Sequence, residues 1–192
     1  MLRQLLTAPN QLTLLRMVFL PLIVLSLLGG HNGWALTLFV AAGITDFFDG
    51  KLARRLHQQT TLGQYLDPVA DKLLLSTMFL VLSVLHRIPW KFTVVVFGRD
   101  VSILIVSAVL YVTTSLRDFS PSVFGKANTC AQVSALFFVL FNQIDPALWV
   151  YWTKRGLLWL TFALTLISGI HYVVRTGQRI RAIQHAKSTA AR

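Results

Sequence analysis

Residues 46–71 read DFFDGKLARRLHQQTTLGQYLDPVAD, and the reading of the whole chain turns on them. Asp46, Asp49, Asp67 and Asp71 stand where one strongly apolar run ends and the next begins. They are more than half of the seven acidic residues in the chain, all of which are Asp. Carboxylates beside hydrocarbon lose hydration and repel one another, and each costs roughly 2.5–3.5 kcal/mol near a bilayer centre on insertion scales. One or two divalent cations would offset that cost, and hard oxygen donors suit Mg²⁺, Mn²⁺ or Ca²⁺.

Spacing brings these groups together. At about 100° per residue, Asp46, Asp49, Gly50 and Ala53 share one helical face, and Asp67 and Asp71 share another one turn apart. Two helices meeting at this level would bring two carboxylates each to one point. Gly50 and Ala53 leave the first face without bulk, so a ligand can approach the backbone closely. Arg54 follows on the same helix, a natural partner for a phosphate oxygen. Carboxylates that hold two metal ions, ions that hold phosphate and a guanidinium alongside suit phosphoryl chemistry. The bland alternative is a salt-bridged network of the same four Asp with Lys51, Lys72, Arg54 and Arg55.

Composition sets the surroundings. A hydrophobic content of 55% and a mean hydropathy of +0.63 over 192 residues exclude an ordinary soluble domain. The net charge of +11 does not come with any nucleic-acid-binding pattern, so no nucleic-acid partner is expected. The basic residues flank apolar segments instead, as topology and anionic lipid require. The single Cys130 forms no internal disulfide and reads as a small core residue.

Six apolar segments follow in order: 12–28, 34–56, a third from Gly63 or Asp67 to Leu85, 91–115, 125–141 and 156–174. Pro68 belongs in a first helical turn, which places the third start near it. Arg16 inside the first run argues for a retained helix rather than a cleaved signal peptide. Each segment, counting its polar end, is about long enough for a hydrocarbon core of roughly 30 Å. The expected fold is an all-α integral membrane protein, a six-helix transmembrane bundle with a polar, cytoplasm-facing cavity. Residues 1–174 form one membrane domain and residues 175–192 a basic cytoplasmic tail, expected to be disordered. Eleven Lys and Arg fall on the side of the termini and the Asp cluster against four on the other, which puts that side in the cytoplasm, with a bacterial inner membrane as the location.

Asp46, Asp49, Gly50, Ala53, Arg54, Gly63, Asp67 and Asp71 match, without departure, D-x2-D-G-x2-A-R-x8-G-x3-D-x3-D. Eight fixed positions coincide by chance about once in 10¹⁰ starts. This resembles the signature of the CDP-alcohol phosphatidyltransferases. Pro9-Asn10 and the Gly125-Lys126 pair are similar to the branch that makes glycerophospholipids. The resemblance implies phospholipid synthesis, by transfer of a phosphatidyl group from CDP-diacylglycerol to an alcohol with release of CMP. It implies Mg²⁺ or Mn²⁺ held by Asp46, Asp49, Asp67 and Asp71, with Asp71 also as catalytic base. Asp46, Gly50, Ala53, Arg54 and Gly63 would contact CDP, and a homodimer is expected.

For the acceptor, the candidates are Lys126, opening the fifth helix, and Arg99, which residue count places nearer the far side than the Asp cluster. Relatives that use glycerol 3-phosphate often carry Arg-Glu and Gly-Lys-x-Lys-Thr, whereas this chain has Arg99-Asp100 and Gly125-Lys126-Ala127-Asn128-Thr129. Glycerol 3-phosphate is the first expectation and phosphatidylglycerol, the cardiolipin synthase acceptor, the alternative. A membrane cation carrier would need acids reaching both sides, and a prenyltransferase would need denser Asp motifs. Arg16, Asn10 and Thr13 read equally as substrate contacts or as a snorkelling cation and a cap. His57 reads as a loop residue, and Trp149, Tyr151, Trp152 and Trp159 as an interfacial aromatic belt.

Overall fold

A computed structural model describes the backbone of residues 8–56, 61–113 and 123–190, and the side chains of residues 15–45, 71–103, 105, 125–174 and 177–178. The described chain is all α: α1 (Ala8–Leu28), α2 (Asn32–Leu56), α3 (Thr61–Val84), α4 (Trp90–Thr113), α5 (Val123–Phe141) and α6 (Leu148–Ala190). At about 1.5 Å per residue, the 24-residue α3 and α4 each span about 36 Å. Helix α1 packs on α2 and α3, α5 on α6, and α4 on both α3 and α6.

The interior combines an apolar core with a polar seam. Ile23 and Leu27 of α1, Phe39 of α2, Met78, Phe79 and Leu82 of α3, and Leu136, Val139 and Leu140 of α5 are buried together. Beside them Arg16, Asp100, Asn128, Gln132, Thr161, Thr165 and Ser168 are buried as well. Outward, the bundle presents Leu25, Val94, Ile170 and Val173, each more than 60% exposed. Polar groups inside and large apolar side chains outside are stable only when the surrounding solvent is hydrocarbon. Residues Leu148–Val174 are long and apolar enough to cross a membrane, with a mean hydropathy of 1.8.

Several boundaries differ from expectation. Helix α3 starts at Thr61, so Pro68 lies inside it rather than in its first turn. Pro21 is likewise inside α1. Packed neighbours in a membrane bundle tolerate the one backbone hydrogen bond a proline removes. Helix α6 begins eight residues earlier than Gly156: Asp145 Oδ1 accepts the Ala147 N–H at 3.2 Å just ahead of it, and Ala147 O accepts the first helical bond from Tyr151 N–H. At its other end α6 does not stop at Val174. The tail expected to be disordered is helix through Ala190, since Gln178, Arg179, Arg181, Ala182 and Gln184 all favour helix and no proline follows. Cys130 is exposed, not core: α5 turns it outward while Asn128 and Gln132 face in.

Two turns close the end of the bundle opposite the Asp motif. After α1, Gly30 takes a left-handed φ of 75°, with Gly30 N–H donating to Leu27 O and His31 N–H to Ser26 O. The α3 end repeats this geometry with His86 N–H donating to Ser83 O and Arg87 N–H to Leu82 O. Here the left-handed position, φ 56°, is held by a histidine where glycine is usual. His86→Gly is therefore expected to stabilise the fold by about 1 kcal/mol, read as a higher unfolding temperature in detergent. An unchanged or lower midpoint would show that the imidazole contributes contacts worth as much as the strain.

Candidate functional site

Helices α2 and α3 each pack on α1 and α5, and between them lies a cavity of about 710 Å³. Its walls are Phe39, Ala42, Gly43 and Ile44 of α2, Asp71, Leu74 and Leu75 of α3, and Thr129, Ser134, Phe137 and Phe138 of α5, with Arg16 reaching in from α1. Most of that lining is apolar. Among the described residues Asp71 and Arg16 are its only charged members.

Register places the motif at one level. Asp46 lies ten residues back from Leu56, the end of α2, and Asp71 ten residues on from Thr61, the start of α3. Both therefore stand about 15 Å from the short link between the helices. Asp49 and Asp67 are correspondingly close in height, seven and six residues from the same ends. The motif backbone is thus helical on both sides of the cavity, as the spacing required. The side chains of Asp46, Asp49, Gly50, Ala53, Arg54, Gly63 and Asp67 lie outside the described residues, as do those of Asn10 and Thr13; His57 lies outside altogether.

Asp71 is described in full. Its Oδ1 forms an ion pair with Arg16 Nη1, in the first third of the first apolar run. Arg16 is buried, with 2% of its side chain exposed, whereas 40% of Asp71 remains open. A buried guanidinium needs a counter-charge, and the α1–α3 packing supplies one. Sequence reasoning flagged Arg16 but did not find this partner. The available signal was a cation in an apolar run, and four carboxylates could have answered it.

Lys126 is exposed at the start of α5, one turn before Thr129, which lines the cavity. Positions three apart lie on the same side of a helix, so Lys126 stands above the cavity's wall. Asn128 points the other way. It is fully buried against α6, where the Thr165 hydroxyl donates to its Oδ1 at 2.9 Å.

Arg99 sits at the depth its residue count gives. Its Nη1 donates to Asp100 Oδ1 at 2.7 Å and its Nη2 to Ser168 Oγ at 2.8 Å, while Lys72 Nζ reaches the same Asp100 oxygen at 2.8 Å. Arg99, nine residues into α4 from the α3–α4 turn, lies nearer that end than Asp71, thirteen residues from it along α3, and the Lys72 side chain spans the step to Asp100. Arg99 lies on the other flank of α3, lining an apolar groove of about 510 Å³ between α4 and α6, not the Asp71 cavity.

The chain matches the sequence profile of the CDP-alcohol phosphatidyltransferases over residues 6–167. The chain belongs to that family. Family members of known name align along most of it. The CDP-diacylglycerol–glycerol-3-phosphate 3-phosphatidyltransferase of Escherichia coli K12 is 35% identical over 172 residues, 86% of this chain and 92% of the relative. A Mycobacterium tuberculosis protein named "Probable phosphatidylglycerophosphate synthase" is 33% identical over 188 residues, 93% and 86% of the two chains. Another from that organism, named "Putative cardiolipin synthase", is 34% identical over 145 residues, 75% and 68%. The chain is thus a membrane-family transferase of phospholipid biosynthesis that uses a CDP-alcohol.

Members of the family use a divalent metal. The sequence offers the hard oxygen donors that Mg²⁺ or Mn²⁺ takes in Asp46, Asp49, Asp67 and Asp71, of which Asp71, on the cavity wall, is the one whose side chain is described.

Proposed function

We propose that this transferase moves the phosphatidyl group of CDP-diacylglycerol to glycerol 3-phosphate, forming phosphatidylglycerophosphate and CMP. The observation that carries this reading is the position of Asp71, paired with Arg16, in a largely apolar cavity at the level of Asp46 along the helices. Acyl chains can stay in the apolar part or in lipid while the diphosphate reaches the motif. Asp46, Asp49, Asp67 and Asp71 are assigned to two metal ions, and Asp46, Gly50, Ala53, Arg54 and Gly63 to CDP. When bound, such ions neutralise diphosphate charge and improve CMP as a leaving group.

Asp71 accepts the proton of the acceptor hydroxyl as that oxygen forms its bond to the phosphatidyl phosphorus. The bond from that phosphorus to the CMP oxygen breaks, and CMP carries away the electron pair. Arg16 positions the Asp71 carboxylate. Lys126 takes the anionic group of the acceptor. Arg99, held by Asp100 and Ser168 on the other flank, is assigned to bracing α4 against α6 and not to the acceptor. The active site and both ends face the cytoplasm of a bacterial inner membrane in a six-span arrangement, and the working form is a homodimer.

Asn128 favours a second reading, cardiolipin synthase. It occupies the position where glycerol 3-phosphate enzymes often carry a second Lys, and it is buried against Thr165, so that position gives the acceptor no cation. The deciding experiment offers glycerol 3-phosphate, phosphatidylglycerol, inositol phosphate and serine in parallel to purified protein with CDP-diacylglycerol, and identifies lipid products by mass spectrometry. Phosphatidylglycerophosphate is expected; cardiolipin as the sole product would establish the second reading. Chelation with EDTA is expected to stop CMP release, and added Mg²⁺ or Mn²⁺ to restore it. Full activity after chelation would remove the ions from the assignment.

A further inference from the structure

The end of the bundle opposite Asp71 carries a second, chemically different pocket. It holds about 320 Å³ between the α3–α4 turn, the start of α4 and the first turns of α6. Arg87, Lys91, Lys154 and Arg155 line it together with His86, and no acidic residue does among the described residues. None of these four cations pairs with a carboxylate among the described residues. Asp145, the described acid nearest in sequence to Lys154, is engaged with the α6 start through Ala147 N–H.

Aromatic rings fix the cations in place. Lys91 Nζ lies 4.4 Å from the centre of the Trp159 ring and 5.2 Å from that of Phe92, and Lys154 Nζ 5.1 Å from that of Tyr151. Arg155 lies over Trp152, and Arg87 Nη1 donates to Asn32 Oδ1 at 2.7 Å, tying this turn to the start of α2. Partial burial pushes the Arg87 pKa below its usual value, so the charge is kept here at a desolvation cost. Four like charges around so small a volume repel one another unless an anion sits between them.

We infer that this pocket binds the phosphate of an anionic lipid in the leaflet opposite the Asp motif. Lipid rather than free phosphate follows from the level. Tyr151 and Trp159 line the pocket, and Trp90, Trp149 and Trp152 stand in the neighbouring turns of α4 and α6, all exposed, as aromatic side chains are at the headgroup layer. The volume falls at the lower end of ligand pockets, roughly 300–1,000 Å³, which admits a headgroup and leaves acyl chains against the outer face of α4 and α6. Val84 is thirteen residues from Asp71 along α3, about 20 Å, so this is not the transfer site. The inference does not depend on the acceptor or on the transfer reaction.

The test uses the full chain in detergent with phosphatidic acid, phosphatidylcholine or inorganic phosphate, read by native mass spectrometry and by unfolding temperature. The wild-type protein is expected to retain phosphatidic acid over phosphatidylcholine and to unfold at a higher temperature with it. Lys91→Gln/Lys154→Gln should weaken that retention at least tenfold while CMP release stays unchanged. The charge-keeping Lys91→Arg/Lys154→Arg pair should retain the lipid, which separates loss of charge from loss of fold. Equal retention by wild type and the Gln pair, loss by the Arg pair, or no preference for phosphatidic acid would each overturn the inference. Stabilisation by inorganic phosphate alone, without lipid retention, would assign the pocket to a soluble phosphate and overturn the lipid source.

Discussion

Asp71→Asn is expected to lower CMP release by about 10³-fold or more while the protein still folds and extracts as the wild type does. General base catalysis alone contributes about 10²–10⁴-fold, and loss of a charged metal ligand adds to it. The ion pair with Arg16 offers a competing account, in which Asp71 serves only as counter-charge to a buried guanidinium. The two accounts part in the double variant Arg16→Gln/Asp71→Asn. If neutralising Arg16 were the whole role of Asp71, removing both charges would return activity. If Asp71 takes the acceptor proton, the double variant stays as inactive as the single one, and Arg16→Gln alone retains part of the rate with a disordered base. The uneven exposure favours the second outcome: Arg16 is sealed in, whereas two fifths of Asp71 stays accessible from the cavity.

That exposure is not something the sequence displays, and the distinction marks what could be read in advance. The six helices followed from apolar run lengths, and the Asp motif from spacing, because both depend on local periodicity. The Arg16–Asp71 and Lys72–Asp100 pairs depend on how helices rotate about their own axes, which no single segment encodes. The same rotation sends Asn128 towards Thr165 and Cys130 outward, although they sit two residues apart. Residue count gave the depth of Arg99 but not its partners, because those lie on α3 and α6. The tail was misread for another reason: polar composition signals an absence of core contacts, but Gln, Arg and Ala keep a helix running without any.

The buried triad gives the second large expectation. Asp100 Oδ1 serves both Arg99 and Lys72, and its Oδ2 has no hydrogen-bond partner among the described residues, so one oxygen compensates two cations inside the bundle. Asp100→Asn would leave those cations facing an amide. Removing one partner of a buried pair costs about 3–5 kcal/mol, and the low end applies because Lys72, a third exposed, can turn outward. A clear fall in unfolding temperature and in folded yield is expected. Arg99→Met/Asp100→Leu should recover most of it, since apolar replacements of a buried pair are often neutral or better. That double variant then tests the function of Arg99. With stability restored, CMP release and acceptor choice close to wild type would confirm that the guanidinium braces α4 against Ser168 and α6. A stable protein that had lost glycerol 3-phosphate use would instead return Arg99 to the acceptor site, and the α4–α6 groove would become the path by which acceptor reaches Asp71.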